Sequence, residues 1–212
     1  MVATGGLSIP QIGASPFGYR LAEQFGLPVV APKPALVPLA LAPETLTPLK
    51  EMAGTALDAR ANCPEAPGFH ENVLITHRGL SGPAILQISS YWQMQEYRGK
   101  RGPVSIDLLP DLDAAAWLAA HRQGRSLLPN LLAEHLPRRF AQEWCALIGG
   151  DKLLQRPLAE LGRRDLERVS HALKHWELQP AGTLGYAKAE VTLGGVSTDA
   201  LSSKTMEAKT VP

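Results

Sequence analysis

Apolar and polar positions follow two different periods along the chain, and the period changes twice. Strict alternation, which is typical of a half-buried β-strand, predicts strands at 72–77 and 103–109. Between 111 and 174 the apolar positions recur every three or four residues, which predicts helices. Alternation returns at 176–179 and 189–193. Strands, then helices, then strands again predict an α+β protein in which a helical segment interrupts a β domain.

Glycine and proline divide the helical stretch into a bundle of four predicted helices. These helices lie within 111–124, 127–136, 137–150 and 163–174. A carboxylate just before a helix accepts hydrogen bonds from the free backbone N–H groups of the first turn. Asp111 and Asp113 are both placed to do this, so each is a candidate cap for the first of the four helices.

The same rules predict further elements earlier in the chain. In order, they are a helix at 15–25 capped by Ser15, strands at 29–30 and 36–41, a loop at 58–72, and a helix capped by Ser81 with Pro83 in its first turn. Because Pro38 lacks a backbone N–H group, the strand at 36–41 is expected at a sheet edge or a bulge.

Composition and charge argue against several classes of protein. Hydrophobic residues make up 45% of the 212 residues, which is ordinary for a soluble domain. The formal net charge is +1 and both signs are mixed through the helical stretch, so we predict neither nucleic acid nor a membrane as a partner. The first residues contain no basic segment and no long apolar one, which predicts a cytoplasmic protein without a signal peptide.

Cys63 and Cys145 are the only cysteines, and neither belongs to a CxxC pair or to a cluster of histidines. This usage predicts two reduced thiols and no metal site. A single disulfide bond and a reactive thiol are the alternatives.

Three short segments carry candidate chemistry. Thr4-Gly5-Gly6 and Gly194-Gly195-Val196 read as glycine turns at strand ends, where a ligand can approach the backbone closely. Each is equally compatible with a plain turn or a β-bulge. His77 follows a predicted strand, where a histidine is either a base or substrate contact, or a residue hydrogen-bonded to nearby backbone. The chain contains no GxGxxG or Walker A phosphate-binding motif.

Several of these segments, in this order, are similar to one family of bacterial flavoproteins. They are Ala-Thr-Gly-Gly-Leu-Ser-Ile-Pro at 3–10, Pro-Ala-Leu-Val-Pro-Leu at 34–39, Thr-His-Arg-Gly-Leu-Ser-Gly-Pro-Ala-Ile-Leu-Gln-Ile-Ser-Ser-Tyr-Trp at 76–92, Ala-Glu-Val-Thr-Leu-Gly-Gly-Val at 189–196 and Ser-Lys-Thr-Met-Glu at 203–207. The family is that of the NAD(P)/FAD-dependent oxidoreductases of the aminoacetone oxidase type. The resemblance covers the whole chain, and the segment at 76–92 is long and specific.

The resemblance implies an architecture. Family members are about twice as long, and both ends of their chain build a Rossmann-like FAD domain around an insert, a β-barrel interrupted by helices. The chain matches this insert and its two junctions, so it resembles the middle of a longer polypeptide. Its implied parts are junctions at 1–33 and 199–212, a β-barrel-like domain at 34–110 and 176–198, and an inserted helical domain at 111–175.

The resemblance also implies a cofactor. In the family the first glycine turn lies against FAD and the second lies near the flavin side of the barrel. Cofactor-binding roles therefore map onto Thr4, Gly5, Gly6, Gly194, Gly195 and Val196. His77 is the catalytic candidate, because its segment faces the cofactor in the family. FAD would carry the redox chemistry in the parent protein, with NAD(P)H as a reductant, whereas the isolated chain is expected to bind no FAD and to be inactive.

The expected partners are the missing FAD-binding domain of the same polypeptide and a small-molecule substrate that the sequence does not specify. Two other functions stay open. One is a stand-alone interaction module without catalytic activity, in which a barrel presents a helical bundle to a partner. The other is nucleic-acid binding through the helical stretch, which the near-neutral charge disfavours.

Overall fold

The computed structural model describes residues 1–99 and 101–211, which form nine β-strands and eight α-helices. The strands are β1 Val29–Ala35, β2 Leu39–Leu41, β3 Ala56–Asn62, β4 Phe69–Thr76, β5 Gly79–Ser81, β6 Val104–Asp107, β7 Trp176–Leu178, β8 Pro180–Thr183 and β9 Val191–Val196. The α-helices are α1 Phe17–Gln24, α2 Pro43–Leu46, α3 Pro83–Tyr97, α4 Ala114–Ala120, α5 Leu128–Leu132, α6 Arg138–Gly149, α7 Asp151–Gln155 and α8 Arg163–Lys174. Within the described residues, no helix has the length and apolar character needed to cross a bilayer.

Seven strands form one antiparallel sheet in the order β7-β6-β3-β4-β5-β2-β8. Its two edge strands, β7 and β8, are consecutive in the chain and only Gln179 lies between them. In a flat sheet, six strand spacings of about 4.8 Å would separate the edges by about 29 Å, far beyond the reach of one residue. The sheet therefore curls round on itself. It is barrel-like, although within residues 1–99 and 101–211 no backbone hydrogen bonds pair β7 with β8 to close the barrel.

Strands β1 and β9 form a separate two-stranded antiparallel ribbon, in which Val29 pairs with Val196 and Ala35 with Val191. The strand predicted at 189–193 thus begins at Val191 and pairs with β1. Just after β1, the backbone N–H of Val37 donates a hydrogen bond to Ser89 Oγ of α3 at 3.0 Å. The long helix α3 thus links the ribbon to the sheet.

Helices α4 to α8 all lie between β6 and β7, which pair with each other through Ile106 and Trp176. The helical stretch therefore leaves the sheet and returns to it at adjacent strands. One cluster of buried residues contains both Ile106 of the sheet and Trp144 of α6, so the two parts share a continuous core. A mixed α and β fold with a barrel-like sheet is confirmed, whereas the proposed domain boundaries stay predictions.

The prediction of a loop at 58–72 is wrong, because this range contains most of β3 and the start of β4. The buried positions of β3 are Leu57, Ala59 and Ala61, which alternate with exposed polar residues. Alanine contributes little hydrophobic contrast, so the period of two is weak in the sequence.

The predicted caps of α1 and α3 are also wrong. Pro16 and Gly82 occupy the N-cap positions, and neither helix begins with a side-chain cap. Ser81 is instead the last residue of β5. The strand predicted at 36–41 is shorter than expected, because Leu36 has a φ of 44° and separates β1 from β2.

Asp113 is the cap of α4. Its Oδ1 accepts hydrogen bonds from the N–H groups of Ala115 at 3.1 Å and Ala116 at 3.0 Å. Asp113→Ala is therefore expected to lower the free energy of unfolding by about 1 kcal/mol. Asp111→Ala removes an exposed carboxylate outside the cap position and should change it by less than about 0.5 kcal/mol. Urea denaturation measures both values, and equal losses would contradict the assignment.

Candidate functional site

The structure brings the two glycine turns together. The N–H of Leu7, just after the first turn, donates to Thr192 Oγ1 of β9 at 2.8 Å. Ser8 Oγ lies 3.0 Å from the same Thr192 oxygen. A Cβ atom on Gly6 would overlap the Thr192 side chain. The first turn therefore packs on the strand that carries the second.

Tyr19 of α1 lies between the turns. A Cβ atom on Gly6 would come within 3.3 Å of the Tyr19 hydroxyl, and one on Gly195 within 3.2 Å of the ring carbon Cε1. Gly194 has a φ of 84°, and its Cβ would lie 2.9 Å from the backbone oxygens of Val30 and Ala31. At Gly6, Gly194 and Gly195, neighbouring atoms of the chain therefore pack too closely for a side chain to fit without a shift.

A cleft of about 1010 Å³ lies beside these turns. Of the six residues predicted to bind a cofactor, Thr4, Gly5 and Val196 line it, whereas the other three glycines are absent from its lining. The remaining wall comes from α1 and from 206–211 near the end of the chain. The two glycine turns therefore lie in one region of the fold, and three of the six predicted residues line the cleft.

The cleft combines apolar walls with backbone donors. Its apolar lining includes Met1, Val2, Leu21, Phe25, Leu27 and Met206. Gly5 has a φ of 72°, and no atom lies within 4 Å of the place where its Cβ would be. The N–H groups of Thr4 and Gly5 donate to no acceptor among residues 1–99 and 101–211. Gly5 therefore presents open backbone to the cleft.

Two further tyrosines adjoin the site. Burial raises the pKa of Tyr186, and the neighbouring phenols of Tyr19 and Tyr97 raise it further. Tyr97 also donates a 2.7 Å hydrogen bond from its hydroxyl to the backbone oxygen of Ala31. The pKa of Tyr97 is raised, chiefly by burial and then by the charge of Glu96. These three phenols come from α1, α3 and the segment before β9, so no local sequence pattern connects them.

Polar groups of α3 hold the ribbon beside the glycine turns. Lys33 Nζ of β1 lies 2.9 Å from Glu96 Oε2 and 5.1 Å from the centroid of the Tyr97 ring. The hydrogen bond from Lys33 lowers the pKa of Glu96. Gln93 Nε2 donates to the backbone oxygen of Pro34 at 3.2 Å. The position of the second glycine turn therefore depends on α3.

His77 lies apart from these residues. It is exposed in the tight turn between β4 and β5 and does not line the cleft. The turn itself is held by Thr76, whose Oγ1 donates to the backbone oxygen of Gly79 at 3.0 Å. The structure therefore does not join the catalytic candidate to the predicted cofactor residues, and its role stays a prediction.

Both cysteines are free, as predicted, and the structure shows that both are buried. Burial raises the pKa of Cys63 to about 11 and that of Cys145 to about 12, which suppresses thiolate reactivity at neutral pH. Among the described residues there is no group of three or more histidine, cysteine or acidic side chains that could hold a metal ion.

A family model described as the HI0933-like protein barrel and H2TH domain matches residues 33–191. The chain belongs to this HI0933-like family. The predicted resemblance to flavoproteins is therefore confirmed at the level of the family. The match spans the curled sheet, the helical stretch and the start of β9, so the barrel in the family description corresponds to the seven-stranded sheet.

Curated relatives of the HI0933-like chain carry more specific names. It is 47% identical over 214 residues to the ribosomal RNA dihydrouridine synthase of Escherichia coli (strain K12), covering all of this chain and 51% of the relative. The protein of that name from Haemophilus influenzae is 40% identical, again over 51% of its length. The 3-dehydro-bile acid delta(4,6)-reductase of Clostridium scindens is 28% identical over 52% of its length. The chain spans about half the length of these relatives.

These names bear on two predictions. None of the three names an aminoacetone oxidase, so the finer assignment of the resemblance is not supported by them. Two of the three names include the words ribosomal RNA, so the prediction that nucleic acid is not a partner is also unsupported.

Proposed function

We propose that the HI0933-like chain is the part of an FAD-dependent oxidoreductase that covers cofactor and substrate, and that the substrate is uridine in ribosomal RNA. The proposal rests on the cleft at Thr4, Gly5 and Val196 together with the identity of 47% to a ribosomal RNA dihydrouridine synthase. Uridine and dihydrouridine differ by two hydrogens across the C5–C6 bond of the base. The third relative is also named as a reductase.

The cleft residues fit a flavin. Gly5 offers free backbone N–H and open space, which suits a ligand that must approach the main chain closely. Thr4 adds a hydroxyl group, and Val196 and Phe25 add apolar surface for a flat ring system. Once reduced by NAD(P)H, bound FAD would supply the two electrons that, together with two protons, saturate the C5–C6 bond of the base.

The chain's own residues would orient the cofactor and exclude water. Gly6, Gly194 and Gly195 permit the close packing that positions Thr4 and Gly5. Since the chain contains no GxGxxG motif, FAD is held mainly by the missing FAD-binding domain of the same polypeptide. The isolated chain is then inactive, and NAD(P)H serves as the reductant of the whole enzyme.

The full-length parent polypeptide provides the test. It should purify with an absorbance band near 450 nm and should form dihydrouridine in ribosomal RNA from a strain that lacks its gene. The 212-residue chain should purify colourless. Stoichiometric FAD on this chain would contradict the claim that FAD is held elsewhere. A full-length protein without flavin would favour the stand-alone interaction module, and oxidation of aminoacetone without activity on RNA would favour the aminoacetone oxidase type.

Gly5→Asn tests the cleft itself. Asparagine tolerates a left-handed backbone, so the fold should persist while the new side chain enters the open space of the cleft. We expect the full-length variant to bind FAD about tenfold more weakly, a loss of about 1.4 kcal/mol. Gly54→Asn is the matched control, because Gly54 has a φ of 88°, is exposed and has equally open surroundings outside the cleft. Flavin fluorescence titration measures both affinities, and equal values would count against the site.

A further inference from the structure

One face of α8 and the residue that follows the helix carry a row of four basic side chains. Arg164, Arg168, His171 and His175 recur at spacings of four, three and four residues, and all are exposed. At 3.6 residues per turn, the three residues within α8 lie in an arc of about 60° and along a length of about 11 Å, and His175 is the C-cap of the helix. The rings of His171 and His175 lie with centroids 5.0 Å apart. We call this row the α8 stripe.

The acidic residues of α8 lie on either side of the stripe and are already paired. Arg163 Nε donates to Glu167 Oε1 at 2.7 Å, and Lys152 Nζ lies 2.7 Å from Asp165 Oδ2. Neither Arg164 nor Arg168 forms an ion pair with any other residue in 1–99 or 101–211. Arg164 and Arg168 therefore bring two positive charges to the stripe, although the whole chain is close to neutral.

The opposite face of α8 fixes the orientation of the stripe. Leu166, Val169 and Leu173 are buried in the common core. Lys174 at the end of the helix donates to the backbone oxygen of Leu109 at 2.7 Å. The stripe is thus carried by a helix anchored on both its buried face and its C-terminal end, which is a rigid way of presenting charge.

We propose that the α8 stripe binds phosphate groups of the RNA substrate. The inference rests on the proposed function, which supplies an RNA ligand. Guanidinium groups match phosphate oxygens in two-pronged geometry, and imidazole N–H groups add hydrogen-bond donors. Phosphate contacts of this kind position a nucleic acid without reading its sequence. The stripe places the RNA while the cleft receives one base.

The test compares full-length protein with its Arg164→Ala/Arg168→Ala double variant, using purified ribosomal RNA. We expect the double variant to bind at least tenfold more weakly at about 0.15 M salt. The slope of log K against log salt should fall by about 1.4 to 1.8, because each of the two lost phosphate contacts contributes about 0.7 to 0.9. The KM for RNA should rise by a similar factor, with kcat within twofold of the wild type.

Arg60→Ala/Arg98→Ala is the matched control, because it removes the same two charges from exposed positions outside the helical stretch. Its affinity and slope should stay near the wild-type values. Arg164→Lys/Arg168→Lys should keep most of the salt slope, since lysine preserves the charge. Equal losses of RNA affinity in the Arg164→Ala/Arg168→Ala variant and in the control would contradict the proposed role of the stripe. If the wild type forms no dihydrouridine in RNA, the proposed function fails instead.

Discussion

Trp92→Ala is expected to lower the free energy of unfolding by about 4 kcal/mol, because it empties the largest buried position of α3. The Trp92 side chain is fully buried between the helix and the sheet. Its Nε1 donates to the backbone oxygen of Gly102 at 2.9 Å, and the guanidinium carbon of Arg101 lies 4.8 Å from the centroid of its ring. The substitution therefore creates a cavity and also leaves a polar contact unmade.

Two substitutions calibrate this result. Trp92→Phe keeps most of the buried ring but loses the donor, so it should cost about 1 to 2 kcal/mol. Met94→Ala changes an exposed side chain on the same helix and should cost less than about 0.5 kcal/mol. Denaturant titration followed by tryptophan fluorescence and circular dichroism measures all three. A loss for Trp92→Ala that matched the Met94→Ala value would show that α3 is not packed as described.

The consequence of Trp92→Ala should extend to the cleft. Helix α3 carries Gln93, Glu96 and Tyr97, which contact Pro34, Lys33 and Ala31 of the ribbon. Loosening α3 would therefore shift the ribbon and the second glycine turn. In the full-length protein we expect weaker FAD binding from Trp92→Ala and unchanged binding from Met94→Ala.

Lys174→Met is expected to lower the free energy of unfolding by about 2 to 4 kcal/mol. Lys174 Nζ lies 2.8 Å from Asp107 Oδ2 at the end of β6 and donates to the backbone oxygens of Leu109 and Leu112. The Asp107 side chain is only 14% exposed. Removing the cation leaves a largely buried carboxylate uncompensated and deprives two carbonyl groups of their donor. Methionine fills similar space, so lost packing adds little.

Arg139→Met is the control for the loss of one ion pair. Arg139 and its partner Glu51 are both exposed, so its removal should cost less than about 1 kcal/mol. Thermal and urea denaturation of the two variants measure the difference. Equal costs would mean that the Lys174 contacts do not anchor α8 to the sheet. Since α8 carries the stripe, Lys174→Met should also weaken RNA binding by the full-length protein.

The resemblance associated the two glycine turns with each other, which local patterns did not. Thr4-Gly5-Gly6 and Gly194-Gly195-Val196 are about 190 positions apart, and each alone is compatible with an ordinary turn. The structure packs both against Tyr19. It leaves His77 in a separate turn that does not line the cleft, although the resemblance implied a role beside the cofactor. Tyr186 was missed because an isolated tyrosine carries no periodic signal.

The net charge of +1 argued against a nucleic-acid partner. A net charge sums over the whole chain, so it does not show where basic residues are concentrated. Arg164 and Arg168 were visible in the sequence, yet Glu167 and Asp165 stand beside them. Only the helix geometry and the pairing with Arg163 and Lys152 separate the acidic residues from the stripe.

The sequence by itself determined the change from strands to helices and back to strands, because periods of two and of three to four residues are local properties that burial of one face imposes. It also located the glycine turns. Only the tertiary structure decided which of Asp111 and Asp113 caps α4, because a hydrogen bond depends on the path of the backbone. It alone decided that 56–62 is a strand, since long-range pairing with β4 and β6 stabilises alanines with little hydrophobic signal. The curl of the sheet, the cleft and the unpaired stripe likewise follow from contacts between residues distant in the chain.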